Sequence, residues 1–317
     1  MVRLKILVCG STGFIGRNMA EALADTGLYE VYGTHCKRPP LEHPGVTPVQ
    51  ADLTRPEDAD RAVKGMDVII QAAATTSGAG DIINRPYIHT ADNAVMNSHI
   101  LRAAYDHSVG HVLFFSCTIM YASSSAPIRE EDFDIAAPLP PQYFGAGWTK
   151  LYIEKMCEFY ARLGRTRFTV MRHSNIYGPH DKYDLARSHV FGATMTKVLT
   201  NEDGKLVCWG PGTEERDLLH VDDLVAFVRA AMERQETPFE LVNVGLGRAV
   251  SIKDLVHRII ASSGREIAVE HDLSKPHIPT KICLDISKAR RDFGWEPTIP
   301  LDEGIRRTIA WYRENLL

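Results

Sequence analysis

The chain has 317 residues, of which 44% are hydrophobic and 24% are charged, so it carries enough apolar side chain for a large buried core. This composition excludes a disordered protein, a collagen-like repeat and a disulfide-stabilised miniprotein. Thirty-six lysines and arginines oppose 40 acidic residues, for a formal net charge of -4 with no basic block. The charge pattern therefore gives no indication of a nucleic-acid partner.

The cysteines and the N-terminal segment bear on the compartment. The six cysteines are far apart and form no C-x-x-C pair, so we expect free thiols and neither a disulfide framework nor a metal site. The N-terminus leads into a short apolar strand rather than a signal-peptide core, and no apolar run approaches the roughly 18 residues of a membrane span. We therefore expect a cytoplasmic protein without a membrane partner.

Short apolar runs alternate with amphipathic stretches along the chain. Strands are predicted at residues 5–9, 31–34, 49–51, 68–71, 112–115, 168–171 and 241–244. Helices are predicted at residues 17–24, 56–64, 95–106, 148–162, 252–262 and 301–315, and Pro56 suits the first turn of its helix. Parallel neighbours need a connection long enough to hold a helix, so this alternation predicts an α/β fold with a doubly wound parallel sheet.

A glycine-rich turn, GSTGFIG over residues 10–16, follows the first predicted strand and precedes a helix pattern. Its glycines let a pyrophosphate approach the backbone at the N-terminus of the helix, which favours negative charge. The pattern predicts a Rossmann-type dinucleotide site. The expected cofactor contacts in this turn are Gly10, Thr12, Gly13, Phe14, Ile15 and Gly16.

Two later segments support the same site. Asp52 and Leu53 end the third apolar run, where the Asp52 carboxylate would lie beside the adenine. The small residues Ala72, Ala73 and Ala74 follow the fourth strand and would let the backbone lie along the cofactor. Each segment alone is typical of a helix cap or of close packing, but their order and spacing favour cofactor contacts.

The end of the second strand distinguishes NAD from NADP, because an acid there binds the ribose 2′-hydroxyl and a cation accepts a 2′-phosphate. The chain places His35, Lys37 and Arg38 there and no acid. We expect NADP, with Lys37 and Arg38 as phosphate ligands and His35 beside the cofactor. NAD, with a merely solvated basic loop, is the alternative.

The alternation of strands and helices loosens after about residue 176. We expect a dinucleotide-binding domain over residues 1–176, with a return strand and helix at about 220–245. A smaller substrate-binding domain is expected over residues 177–219 and 246–317. Ligands of such sheets bind in the crevice at the carboxyl ends of the strands, which the smaller domain would cover.

Motifs over nearly the full chain resemble the extended short-chain dehydrogenase/reductase (NAD-dependent epimerase/dehydratase) family. They lie at residues 10–16, 52–53, 72–74, 174–181, 188–190, 209–213 and 219–223, with Arg216. The run from residue 174 to 189 resembles the GDP-L-fucose synthase branch most specifically. The resemblance implies a nucleotide-diphosphate sugar, GDP-linked, as substrate and a homodimer formed through two long helices.

The resemblance also implies a Tyr four residues before a Lys, as the proton donor to the sugar C4 oxygen. The Lys is Lys150, but Ala146 occupies the Tyr position, and none of the eleven tyrosines has a Lys at the fourth residue after it. Alanine cannot transfer a proton. Tyr143, on the same face if the helix already runs there, or a water held by Lys150 would substitute; an engineered Tyr-to-Ala change is another explanation.

Two further groups match the family's acid/base positions at C3 and C5. Cys117 aligns either with the catalytic Ser or Thr or, after a shift of one residue, with the epimerising Cys. In the second alignment Thr118 or Ser116 supplies the hydroxyl. His189 matches the second epimerisation acid/base, and the resemblance places His173 beside the cofactor.

Arg216 and Lys281 resemble the family's diphosphate ligands, and Lys197 with Trp209 would flank the base. The substrate contacts implied are Asn175, His189, Val190, Lys197, Trp209, Arg216 and Lys281. We expect hydride transfer at C4 and proton exchange at C3 or C5 of a 4-keto or 4-hydroxy sugar. The alternatives are an epimerase without net redox chemistry and a non-catalytic protein that binds the cofactor or the nucleotide sugar.

Overall fold

The computed structural model describes residues 3–76, 84–275 and 279–317. The strands are β1 (Lys5–Cys9), β2 (Glu30–His35), β3 (Val46–Gln50), β4 (Val68–Gln71), β5 (His111–Phe115), β6 (Arg167–His173), β7 (Asn175–Tyr177), β8 (Lys205–Trp209), β9 (Glu215–His220), β10 (Phe239–Val244), β11 (Ala249–Ser251) and β12 (Ala268–Asp272). The helices are α1 (Phe14–Asp25), α2 (Pro56–Val63), α3 (Ala91–Asp106), α4 (Phe144–Arg162), α5 (Val190–Leu199), α6 (Val221–Arg234), α7 (Ile252–Ser263), α8 (Ser287–Phe293) and α9 (Leu301–Leu316).

Seven strands form the central sheet in the order β3-β2-β1-β4-β5-β6-β10. Every neighbouring pair in it is parallel, so the predicted doubly wound Rossmann-type α/β fold is confirmed. Helices α2, α3 and α4 bury their apolar residues against one face, and α1, α6 and α8 against the other. The strand order reverses between β1 and β4, which opens a ligand crevice at their carboxyl ends.

The helix starts depart most from the predictions. Pro56 begins α2 as predicted, but α3 begins at Ala91 and α4 at Phe144, each four residues before the predicted start. A 3-10 turn, Pro141–Tyr143, leads into α4. Glycine disfavours the helix interior, and Gly145 and Gly147 therefore obscure the first turn of α4 in the sequence pattern.

A third hydrophobic cluster lies outside the sheet and holds the C-terminal elements together. It contains buried residues of α5, α7 and α9 and of strands β8 and β9. Two small sheets accompany it, one of β7, β9 and β11 and the other of β8 and β12. All six cysteines are free thiols. Within the described ranges no helix combines the length and apolarity needed to cross a membrane.

Candidate active site

The glycine-rich turn lies against the loop after β4, at the reversal of strand order. Gly10 has a φ of +76°, and a Cβ added there would lie 2.7 Å from the Cα of Ala73. A Cβ on Gly16 would overlap the carbonyl group of Gly10. Gly13 directly precedes α1 and has no side chain to cap the first N–H groups of that helix. The turn therefore fits the phosphates of a dinucleotide.

Arg38 reaches from the end of β2 to this turn. Its Nη1 donates a 3.0 Å hydrogen bond to the Thr12 carbonyl oxygen, and His35 Nδ1 lies 3.3 Å from the Arg38 carbonyl oxygen. Among the described residues no carboxylate lies within 4.0 Å of the Arg38 guanidinium. Lys37 beside it is exposed. Two of the predicted cations thus border the crevice, and Arg38 is held at the glycine turn.

Asp52 lies at the mouth of an open cavity of about 460 Å³, which Cys36 also lines. Its Oδ1 accepts hydrogen bonds from the Thr54 hydroxyl (2.6 Å) and the Thr54 amide (3.1 Å), and these bonds lower the pKa of Asp52. A carboxylate is therefore available where the adenine was expected. Leu53, by contrast, is buried in the hydrophobic core.

Lys150 occupies the position that the family pattern predicts. Its Nζ donates a 2.7 Å hydrogen bond to the Phe115 carbonyl oxygen at the end of β5, and it lies 4.7 Å from the centroid of the Phe114 ring. Burial lowers the pKa of Lys150, and Cys117 partly offsets this. Ala146 lies one helical turn earlier on α4. The ammonium is therefore in place at the carboxyl end of the sheet, without a tyrosine before it.

Tyr143 is not part of α4, so the condition for placing it on the same face as Ala146 is not met. It ends the 3-10 turn and is the N-cap residue of α4. Burial raises the pKa of Tyr143, the Arg216 guanidinium lowers it, and Cys117 raises it. Its electrostatic neighbours are therefore Arg216 and Cys117.

Cys117 links the groups around Tyr143 with those around Lys150. Burial raises the pKa of its thiol, and the Lys150 ammonium is the largest opposing influence. Thr118 next to it is half-buried, and its carbonyl oxygen accepts a 3.1 Å hydrogen bond from the Tyr121 amide. Cys117 is therefore the predicted residue that interacts electrostatically with both Lys150 and Tyr143.

Two histidines complete the cleft. His173 lies 2.7 Å from the Ser174 carbonyl oxygen through Nδ1, which must carry the proton because a carbonyl only accepts. Burial lowers the pKa of His173 to about 4, and Lys150 and His189 add to this. His189 is the N-cap residue of α5, just before Val190. His189 is exposed, yet desolvation by the surrounding protein lowers its pKa to about 4, and the Lys182 ammonium adds to this.

A buried ionic network beneath Lys150 was not predicted. Glu154 Oε1 accepts a 2.5 Å hydrogen bond from the Ser116 hydroxyl, and both its oxygens accept from the Arg172 guanidinium. Arg172 also donates to the Tyr121 hydroxyl at 3.1 Å. Glu154 follows Lys150 by four residues on α4, and this helical spacing is the sequence feature that could have identified it.

The predicted nucleotide-binding residues lie on later elements of the chain and form two groups. Trp209 is 51% exposed, and Lys197 Nζ lies 5.9 Å from the centroid of its ring. Arg216 Nη1 donates a 2.6 Å hydrogen bond to the Thr280 carbonyl oxygen, and Lys281 pairs with Glu215 at 3.0 Å. Asn175, half-buried, begins β7. Trp209 with Lys197 thus forms one group, and Arg216 with Lys281 forms the other through Glu215.

Asp217, next to Arg216, ties three parts of the chain together. Its carboxylate accepts hydrogen bonds from the amides of Leu246 (2.7 Å), Gly247 (3.0 Å) and Leu284 (3.2 Å). Burial raises the pKa of Asp217 to about 6, although these amides oppose the rise. In the part of the chain that the structure describes, no group of three or more His, Cys, Asp or Glu residues could hold a metal ion.

A comparison with known protein families agrees with this geometry. The family model described as "NAD dependent epimerase/dehydratase family" matches residues 6–245. The chain belongs to this family. Membership agrees with the glycine turn and the crevice and supports a nicotinamide dinucleotide as the cofactor.

Curated relatives of this epimerase/dehydratase family member are enzymes. GDP-L-fucose synthase 1 of Arabidopsis thaliana is 28% identical over 98% of this chain and 94% of its own length. The dTDP-4-dehydro-6-deoxy-D-allose reductase of Streptomyces bikiniensis is 27% identical over 98% of this chain and 96% of its own. Among solved structures, a UDP-glucose 4-epimerase of Thermotoga maritima has a TM-score of 0.87 at 24% identity, covering 99% of this chain and 100% of that one. That likeness shows the fold.

Proposed function

We propose that this chain is a cytoplasmic, NADP(H)-dependent nucleotide-sugar epimerase/reductase that acts on a GDP-linked 4-keto or 4-hydroxy sugar. The observation that carries the proposal is the convergence of Lys150, Cys117, His173 and His189 at the carboxyl edge of the sheet, the edge that also carries the glycine turn. Residues 1–176, with the return segment at about 220–245, bind the dinucleotide in this proposal. Residues 177–219 and 246–317 bind the nucleotide sugar.

The proposed chemistry divides between C4 and the neighbouring carbons of the sugar. The nicotinamide, when bound, supplies or accepts the hydride at C4. Lys150 orients the cofactor ribose, and its ammonium favours negative charge on an adjacent oxygen or sulfur. His189, with a pKa of about 4, is neutral near pH 7 and can accept a proton from C3 or C5. Cys117 is the partner acid.

Tyr143 is the proposed proton donor to the C4 oxygen in place of the missing tyrosine. The Arg216 guanidinium lowers the pKa of its hydroxyl, as a donor requires, although burial outweighs this in the free protein. Cys117, close enough to influence Tyr143, also interacts with Lys150.

The preference for NADP rests on the cations at the end of β2. Arg38 lies against the Thr12 carbonyl oxygen, and among the described residues no carboxylate within 4.0 Å neutralises it. Lys37 beside it is exposed. A 2′-phosphate at this point would gain two cationic ligands, whereas NAD would leave them unused.

The preference for a GDP-linked sugar rests on the relatives and on the exposed aromatic platform. The Trp209 ring, with Lys197 above it, offers a stacking surface for a base. Arg216 and Lys281 would take the diphosphate, for which Lys281 must exchange its Glu215 partner. We propose guanine as the base because the curated relatives include GDP-L-fucose synthases.

The proposed homodimer uses the outer faces of α3 and α4. Trp148, Tyr152 and Phe159 are exposed at helical spacing along α4, Leu163 is exposed directly after it, and Val95 is exposed on α3. The two helices are joined by a 3.1 Å hydrogen bond between the Ser98 and Tyr152 hydroxyls. A contiguous apolar face of this kind is typical of an interaction site.

The test compares the protein with its Ala146→Tyr variant by nicotinamide absorbance, using GDP-, CDP- and UDP-linked 4-keto sugars and both NADPH and NADH. We expect turnover with a GDP-linked sugar and NADPH, and a rate lowered at least tenfold by Tyr143→Phe. Ala146→Ser is the matched control, because it changes the same position without adding a phenol. Absence of any absorbance change with all sugars, in the protein and in Ala146→Tyr, would refute hydride transfer.

Epimerisation without net redox is the second candidate, and Ala146 favours it. The usual acid at C4 is absent, whereas His189 and Cys117 remain for exchange at C3 or C5. This function predicts deuterium uptake from solvent into the sugar at constant nicotinamide absorbance. Unchanged deuterium uptake by His189→Ala would argue against the assigned base.

A further inference from the structure

Lys182 bridges two loops on opposite sides of the crevice and was not among the predicted site residues. Its Nζ donates hydrogen bonds to the carbonyl oxygen of Thr76 (2.8 Å) and to the Thr76 hydroxyl (3.0 Å). Thr76 follows the Ala72–74 segment that leaves β4, whereas Lys182 belongs to the substrate-binding part of the chain. The side chain therefore spans the opening between the two parts.

The backbone of Lys182 is fixed to the helix that His189 caps. A Cβ added to Gly192 on α5 would lie 2.5 Å from the Lys182 carbonyl oxygen, so only glycine allows this approach. The Thr196 hydroxyl donates a 2.7 Å hydrogen bond to the Tyr183 carbonyl oxygen. The backbone at Lys182 and Tyr183 is therefore held against α5.

The charges around Lys182 favour an anionic ligand. Within the described residues no carboxylate lies within 4.0 Å of its Nζ, and the adjacent Asp181 instead accepts a 2.6 Å hydrogen bond from the Lys182 amide. The pKa of Lys182 is lowered, and burial is the largest cause. The Asp181 carboxylate opposes this, whereas the guanidinium groups of Arg38 and Arg187 lower the pKa further. Cations that influence one another in this way repel each other, and an anion between them would relieve the repulsion.

We propose that Lys182 is a phosphate ligand of the dinucleotide and exchanges Thr76 for a phosphate oxygen when the cofactor binds. The inference rests on the proposed function, because it requires a dinucleotide in the crevice. Arg38 approaches that crevice from the glycine turn and Lys182 from the opposite rim, so both cations face the phosphates of one bound dinucleotide.

The test is isothermal titration of the full-length protein with NADP+, NAD+ and GDP, each alone. Lys182→Met and Lys182→Gln should each weaken NADP+ binding about tenfold or more, since each loses a charged hydrogen bond to phosphate. Lys182→Arg should stay within about threefold of the parent. Lys64→Met is the matched control, because Lys64 is exposed at the end of α2, at the opposite edge of the sheet.

The outcomes separate the possible roles. Equal weakening of NADP+ and NAD+ assigns Lys182 to the diphosphate, and weakening of NADP+ alone assigns it to the 2′-phosphate. The amide of Lys182→Gln can still form a hydrogen bond to Thr76. If this variant binds NADP+ as the parent does, Lys182 only connects the two loops and the proposal is overturned. An effect confined to GDP would also overturn it. Failure of the parent protein to bind either dinucleotide would overturn the proposed function itself.

Discussion

Arg172 and Glu154 form a two-point ion pair beneath Lys150, with Nη2 to Oε2 at 2.7 Å and Nε to Oε1 at 3.1 Å. Only 3% and 5% of the two side chains are exposed. The pair joins β6 to α4, and the Ser116 hydroxyl completes the coordination of the carboxylate. It therefore fixes the helix that carries Lys150 against the strand that leads to His173.

Replacing Glu154 by Gln should lower the free energy of unfolding by about 3–5 kcal/mol, because Arg172 keeps a buried charge without its partner. Urea unfolding measures the change. Glu158→Gln is the control on the same helix: its carboxylate pairs with the exposed Lys155 and Arg162, and its loss should cost about 0.5 kcal/mol. Equal losses in the two variants would contradict the buried ion pair.

Gly10→Ala should abolish dinucleotide binding, whereas Gly27→Ala should not. Both glycines have positive φ values, +76° and +65°, so both substitutions carry a backbone cost of about 1–2 kcal/mol. Only at Gly10 does the new Cβ also meet Ala73, because nothing lies within 4 Å of Gly27. Titration with NADP+ and thermal unfolding measure the two effects separately. Retained binding by Gly10→Ala would exclude the glycine turn as the phosphate site.

Acid should destabilise the protein partly through His111. Its Nε2 lies 2.7 Å from the Thr169 hydroxyl, and its buried Nδ1 has no hydrogen-bond partner among the described residues. Burial lowers the pKa of His111 to about 3 from an ordinary 6.5. Between these pH values the unfolded chain binds more protons than the folded one, so the free energy of unfolding falls as the pH falls.

The contribution of His111 should be about 1–2 kcal/mol between pH 6.5 and 5. Urea unfolding across this range should show a shallower pH dependence for His111→Gln than for the parent. Identical slopes in parent and His111→Gln would show that His111 does not contribute.

Phe159→Asp should convert the proposed dimer into a monomer. Phe159 is 52% exposed on the apolar face of α4, and a carboxylate there would lose its hydration in the interface. Sedimentation equilibrium measures the mass. Leu28→Asp is the control, since Leu28 is equally apolar and exposed but lies between α1 and β2. A dimer that persists in Phe159→Asp would place the interface elsewhere.

Local sequence patterns were sufficient for the sheet but not for the electrostatics of the cleft. The predicted bounds of β1 and β4 agree with the structure, because each is a short apolar run followed by small or turn-forming residues. The glycine turn was predictable for the same reason. Contacts such as that of Lys182 with Thr76 join residues 106 positions apart, and no local pattern specifies them.

The site predictions differed in the same way. Lys150 could be placed because it lies on a helix that a motif identifies. Tyr143 could not, because its orientation depends on where α4 begins, and the glycines there conceal that point. Glu154 and Arg172 are charged residues that composition assigns to the surface, and only their mutual neutralisation allows burial. The binding of cofactor and substrate by these residues stays a prediction.

The three amides bound by Asp217 have a consequence for how such an enzyme diversifies. Because this carboxylate holds the loops around Leu246 and Leu284 to β9, it fixes the strand that carries Arg216, the proposed diphosphate ligand. The exposed Trp209 lies on β8, outside these contacts. In the proposed function, a substitution at Trp209 would therefore change the preference for the base without moving Arg216.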